Sequence, residues 1–255
     1  MTFLTQWTAK SLFCQIALFT GILLPGINSA TANIVIHSTR IIYPEDSREV
    51  TIRMQNKGET PSLVQTWIDK GDTSVPVSTL DVPFVLMPPV SRIDAHRGQT
   101  LRLTYTGSTL PKDKESLFWL NVLDIPPKAK KTAENENLLQ MAIRSRLKIF
   151  FRPVGLNAES ALKAAKNLRW GLARTQSGKE LIAFNDSPYF VNVSSIIVEN
   201  AGEKTTSHNG EMIAPGEKQT FSVKSATKIN KNGKINYTII NDHGGTTEFE
   251  GFVIE

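Results

Sequence analysis

The chain predicts an all-β protein, built as two antiparallel β-sandwiches in tandem behind a cleaved export signal. Three observations lead there. Short runs of β-branched and aromatic residues recur along most of the sequence, separated by polar or Gly/Pro-rich breaks. The strand-like runs do not alternate with helical patterns, which sets βαβ architecture aside in favour of sandwiches. The 255 residues, less a leader, leave room for two domains of about 100 residues each.

The leader comes first. Residues 1–10 carry one cation, Lys10. Residues 11–27 are apolar but interrupted by Gly21 and Pro25, and Ala30-Thr31-Ala32 offers small residues to a peptidase. Cleavage after Ala32 is expected. The apolar run is too short and broken for a stable spanning helix, so no membrane anchor is expected after cleavage. The one cysteine, Cys14, falls inside this leader. The exported product should therefore have no disulfide and no cysteine nucleophile or metal ligand, although its compartment would permit disulfides.

Strand patterns follow at Ile34–Ser38, Glu49–Gln55, Ser62–Ile68, Thr100–Tyr105 and Leu117–Asp124. Residues 126–136 (PPKAKKTAENE) read as a solvated loop, because two prolines and several lysines sit there without an apolar face. The longest strand pattern is Leu138–Arg152, where Leu139, Met141, Ile143, Leu147, Ile149 and Phe151 alternate with Gln140, Arg144, Arg146 and Lys148. Those apolar residues either line the protein's own core or form an outward edge for another chain, and their spacing is compatible with both. Pro153 and Gly155 end the pattern and set the domain boundary, giving domains 33–152 and 153–255. Beyond it, Leu181–Phe184, Phe190–Val198, Gln219–Val223, Ile235–Ile240 and Thr247–Val253 are strand-like. Ala158–Lys166 alone favours helix by composition, as a local excursion or as a segment too short to form one.

Chemistry is hard to find. His37, His96, His208 and His243 are scattered, and no zinc-protease, nucleophile-elbow or phosphate-loop motif occurs. No cofactor, metal or catalytic residue is expected. Asp242 to Gly245 reads as a hairpin turn and not a phosphate cradle, and the sequons beginning at Asn192 and Asn236 read as chance. The net charge of +5 is too mild to suggest nucleic acid as a partner.

Several segments are more specific. Thr39-Arg40-Ile41-Ile42-Tyr43-Pro44, residues 111–121 (PKDKESLFWLN) running on to Ile125-Pro126-Pro127, and Leu147 to Pro153 are joined in the second half by residues 185–190 (NDSPYF), residues 212–216 (MIAPG) and Asn241 to Gly245. Together and in this order they resemble the PapD-like periplasmic pilus chaperones across residues 33–255. The resemblance implies two immunoglobulin-like domains in an L-shaped arrangement. It also implies a periplasmic, non-enzymatic function: binding fimbrial subunits by donor-strand complementation and delivering them to an outer-membrane usher. The subunits of such systems lack their last strand, which the chaperone's long strand replaces.

Carried over residue by residue, the resemblance assigns Leu139, Met141 and Ile143 to the donor strand and Arg40 and Lys148 to a clamp on the subunit's terminal carboxylate. Glu115, Arg152 and Asp242 match an interdomain ion network. Lys148 has the opposite parity to the three donor positions, so a bulge, a twist or a change in what faces the partner is expected between Ile143 and Lys148. The interval before the donor strand is moderately extended but lacks a longer apolar segment and a cysteine pair, which resembles the short-loop class serving rod-like or composite pili. An apolar free edge further predicts weak self-capping into dimers, or shielding by the Pro126–Glu136 loop. The rival readings are a pilin or adhesin that polymerises or binds ligand through its loops, and an enzyme assembled from distant residues.

Overall fold

The computed structural model describes residues 33–128, 141–175, 178–200, 203–207, 210–222 and 233–254. The export signal, Leu139 and most of the Pro126–Glu136 loop lie outside the described residues.

Period-two alternation builds the first sandwich. Its strands are β1 (Ile34–Ile36), β2 (Arg40–Pro44), β3 (Val50–Asn56), β4 (Ser62–Asp69), β5 (Phe84–Met87), β6 (Val90–Ile93), β7 (Gly98–Tyr105), β8 (Ser116–Ile125) and β9 (Ile143–Arg152). One sheet runs β1-β3-β7-β5 and the other β2-β9-β8-β4-β6. Alternate residues such as Ile52, Val64, Leu101, Leu103, Leu120, Ile149 and Phe151 are buried between the two sheets. Tyr43 sits at the aromatic end of that core, edge-on to Phe84 and stacked on Phe151. Its hydroxyl accepts from the Tyr105 amide at 2.9 Å and donates to the Ser47 carbonyl at 3.1 Å, so the buried phenol is satisfied.

The second sandwich contains α1 (Ala158–Lys166), β10 (Arg169–Thr175), β11 (Gly178–Phe184), β12 (Val191–Asn200), β13 (Glu203–Ser207), β14 (Glu211–Ile213), β15 (Lys218–Phe221), β16 (Lys234–Ile240) and β17 (Thr246–Phe252). Sheets β10-β11-β15 and β13-β12-β16-β17, with β14 also on β12, enclose Trp170, Leu181, Val193, Ile196, Phe221 and Tyr237. The helical excursion forms. Asn157 caps it by accepting the Ser160 amide at 2.9 Å, Lys163 and Lys166 lie in the last turn, and Ala164 and Ala165 are buried. Tyr237 donates to the Ala165 carbonyl at 2.8 Å, which ties the helix to the core, and burial pushes this phenol up to about 12.

Six strands add to the sequence patterns. β5 and β6 flank Pro88-Pro89 and occupy sheet edges, where missing donors are tolerated. β13 (EKTTS) has no apolar face to reveal it, β14 is three residues long, and β2 and β10 complete the set. Pairing is antiparallel throughout the named strands except for β2 on β9, which run parallel with Arg40 opposite Lys148.

Candidate functional site

The parallel pairing of β2 with β9 makes the site. Because β2 begins at Arg40 and β9 has reached Lys148 at that level, two cations distant in sequence become register partners on neighbouring strands. The core side of β9 takes Leu147, Ile149 and Phe151. Alternation then turns Lys148 and Phe150 to the opposite face. There a recess of about 300 Å³ lies between the sandwiches, lined by Arg40, Phe150, Arg152, Asn192, Ile240 and Asp242.

The two cations are held by neutral oxygens. Arg40 Nη1 donates to the Ile240 carbonyl at 2.8 Å, its guanidinium lies 5.8 Å from the centre of the Phe150 ring, and its Nε is buried with no partner among the described residues. Lys148 Nζ donates to Asn192 Oδ1 at 2.6 Å and sits 5.6 Å from the Trp119 ring centre. Among the described residues neither cation forms an ion pair. Burial lowers both pKa values. Asp242 opposes that for Arg40, while Arg40 itself adds to it for Lys148 and Glu211 opposes it. Two like charges, partly desolvated, thus stand on neighbouring strands with neutral oxygens as their hydrogen-bond acceptors among the described residues, an arrangement that can bind an anion.

A short distance along the same strand the charge balance reverses. Arg152, the last residue of β9, is 6% exposed; its Nε donates to Glu115 Oε1 at 2.8 Å, and its Nη1 and Nη2 donate to Asp242 Oδ2 and Oδ1 at 2.6 and 3.1 Å. Glu115 belongs to the first sandwich and accepts the Phe190 amide of the second at 2.8 Å through Oε2. Burial pushes the Glu115 carboxyl up despite the adjacent Arg152. Asp242 lies in the β16–β17 hairpin, where Gly244 has φ 81° and a Cβ would collide with the Thr39 hydroxyl. Glycine is required there by conformation and by close approach.

Of the donor positions, Leu139 lies outside the described residues. Met141, two residues before β9, and Ile143, its first residue, are 64% and 46% exposed and lie past the end of the core that the rest of the strand lines. β9 pairs with β8 along its length, from Asp124 opposite Ile143 to Ser116 opposite Phe151, but with β2 only from Lys148 onward. Its second edge, over Ile143–Leu147, has no strand partner among the described residues.

Of the expected alternatives between Ile143 and Lys148, a bulge is absent from the β8–β9 pairing. The β8–β9 register continues unbroken from Ile143 to Phe151, so Ile143 and Lys148 lie on opposite faces of one strand. Both faces would flank any strand placed along the free edge, since such a strand lies in the plane of the sheet.

The fold and its two domains agree with known proteins. Residues 33–157 match the family model "Pili and flagellar-assembly chaperone, PapD N-terminal domain", and residues 163–251 match "Pili assembly chaperone PapD, C-terminal domain". The chain belongs to the PapD family of pilus-assembly chaperones. Within that family it is 43% identical over 224 residues to the probable fimbrial chaperone YadV of Escherichia coli (strain K12), covering 87% of this chain and 90% of YadV. The crystal structure of YadV superposes with a TM-score of 0.72 at 41% identity, covering 87% of this chain and 100% of that one. The SafB chaperone, solved in complex with the SafA pilin of Salmonella enterica, gives 0.70 at 26% identity, covering 88% and 97%.

Sequence reasoning missed part of this candidate site. Asn192 was visible only as a sequon, and the Ile240 carbonyl has no sequence signature. Beyond Lys148 on the same face of β9, Arg144 and Arg146 hydrogen-bond Asn121 Oδ1 (2.9 Å and 3.1 Å from their Nε atoms) and stack over Trp67 and Trp119. Arg146 also reaches the buried Asp69 at 2.8 Å. These two arginines are fixed by their own sandwich, in contrast to Lys148, which is held from the other one.

Proposed function

We propose that this protein is a periplasmic, non-enzymatic chaperone that lends β9 to a fimbrial subunit and passes the subunit to an outer-membrane usher. The observation that carries the reading is the one-sided pairing of β9 over Ile143–Leu147, which ends at the Arg40–Lys148 pair. A subunit strand entering along the free edge satisfies backbone groups that have no strand partner among the described residues, while Leu139, Met141 and Ile143 offer apolar cover for its open core. When the terminal carboxylate of that strand reaches Arg40 and Lys148, charge-assisted hydrogen bonds end the added strand and fix its register. The similar SafB chaperone, solved in complex with the SafA pilin, supports a pilin as the partner.

Arg152, with Glu115 and Asp242, keeps the two sandwiches at a fixed angle in this reading, so the cleft stays open. No nucleotide, metal or other cofactor enters the scheme. The free apolar edge is expected to cap itself weakly as a dimer that a subunit displaces.

The test is co-expression with a fimbrial subunit lacking its own N-terminal extension. A soluble one-to-one complex is expected, with recovery greatly reduced by Arg40→Ala or Lys148→Ala in variants that keep the wild-type circular dichroism. Normal recovery by both folded variants would remove the carboxylate clamp.

A further inference from the structure

The clamp cations belong to the first sandwich, yet the hydrogen bonds that orient them come from the second. Arg40 is held by the carbonyl of Ile240 on β16, and Lys148 by the side chain of Asn192 on β12. The alternation of β12 explains why Asn192 is available. Val191 and Val193 on either side are buried in the core of the second sandwich, so the residue between them projects the opposite way, into the cleft. Asn192 is only 6% exposed, which also makes its sequon an unreachable acceptor in the folded protein.

The chemistry of this contact is selective. An ammonium has only donors, so the group facing Lys148 must be an acceptor. An aspartate in this place would supply one with a negative charge and close an ion pair, as happens at Arg152. An amide oxygen orients the ammonium without neutralising it. Glu211 borders the same side of the cleft with Trp119 and Met212, but it makes no ion pair with Lys148 among the described residues.

We infer that Asn192 is the positioning residue of the anion site, a neutral acceptor that aims Lys148 at an incoming carboxylate while leaving its charge uncompensated. The site is thus a composite of both sandwiches. This inference rests on the carboxylate-clamp reading given above.

The test uses a synthetic peptide copying the C-terminal strand of a fimbrial subunit that the protein binds, made with a free and with an amidated C-terminus. The readout is the ratio of the two dissociation constants on the full mature chain. Wild type should prefer the free acid by about tenfold or more, since hydrogen bonds between charged groups are involved. Lys148→Ala should lower the ratio steeply, leaving Arg40 alone to meet the carboxylate. Asn192→Asp should do the same with no fall in melting temperature, because the introduced carboxylate then occupies Lys148 as an internal anion. Asn192→Ala should lower the ratio several-fold, since Lys148 loses its guide but keeps its charge.

Should Lys148→Ala lower the ratio steeply while Asn192→Asp retains it, Asn192 is only a packing residue and the inference falls with the clamp intact. Should Lys148→Ala itself keep the wild-type ratio, the clamp reading fails and the inference with it. If Asn192→Asp does not fold, Asn192→Ala decides, and an unchanged ratio there overturns the proposal.

Discussion

The two halves of β9 have the same strand geometry and opposite surroundings. From Lys148 to Arg152 the strand is paired with β2 as well as β8, and Ile149 and Phe151 are buried in the first sandwich. From Ile143 to Leu147 it is paired on one edge among the described residues, and Ile143 and the preceding Met141 stand in solvent. The cations follow the same division of labour. Arg152 is saturated by two carboxylates, while Lys148, four residues earlier, meets an amide oxygen. A side chain or backbone edge that already has all its partners belongs to the fold. One that is ordered but left incomplete is available to something else, and a protein keeps such an edge only if pairing is its business.

Breaking the completed half should have the largest effect on stability. Arg152→Ala leaves Glu115 buried without its cation and is expected to cost about 3–5 kcal/mol, measured by denaturant unfolding. Phe151→Ala removes a core ring that stacks on Tyr43, and a cost of about 3–5 kcal/mol is expected by the same measurement. Asp242→Ala should be milder than Arg152→Ala, because Glu115 keeps its partner, and a double-mutant cycle between the two should be clearly non-additive.

The incomplete half should respond the other way. Met141→Ala is expected to change stability by no more than about 0.5 kcal/mol, as for an exposed position. Binding to a subunit lacking its donor extension should nevertheless fall, because its open core loses apolar cover. Ile143→Asp should weaken binding further, since an unpaired carboxylate would enter that groove. Calorimetric titration beside the unfolding curves separates the two effects, and a core-sized loss of stability with normal binding would reverse the comparison.

Much of this division could be read from the chain, and its limits have physical causes. The Leu138–Arg152 alternation announces a strand, but periodicity says only which residues share a face, not how far the core beneath them extends. Ile143 and Ile149 are equivalent by parity and differ in burial because the sandwich ends between them. The Ala-, Leu- and Lys-rich composition of α1 was legible because local propensity and the Asn157 cap agree. β5 and β6 were not, since Pro88-Pro89 reads as a break and the strands exist by tertiary pairing at sheet edges. Arg40 and Lys148 came from family resemblance alone. Their juxtaposition depends on a parallel pairing between distant segments, which no spacing rule reports. Asn192 escaped because a neutral side chain acting on a cation in the other sandwich leaves no pattern in its own strand.

The smallest expected effect concerns pH. Burial, reinforced by Arg40, holds Lys148 below the ordinary lysine value of 10.5, so the native state disfavours its charged form. The associated stability is present above the unfolded pKa and is lost as pH falls through the lower folded value. Wild-type stability should therefore rise slightly relative to Lys148→Met as pH approaches 10.5 from below. Parallel thermal melts of the two proteins across that window check the sign.

Backbone hydrogen exchange on β9, with and without a bound fimbrial subunit, tests the central claim most directly. Amides from Ile149 to Arg152 should be protected in both states, because β8 and β2 already flank them. Within Ile143–Leu147, the amides directed to the free edge should exchange quickly in the free protein and become strongly protected in the complex. Equal protection of that segment in both states, with a subunit demonstrably bound, would mean that no strand is added there and would contradict the account.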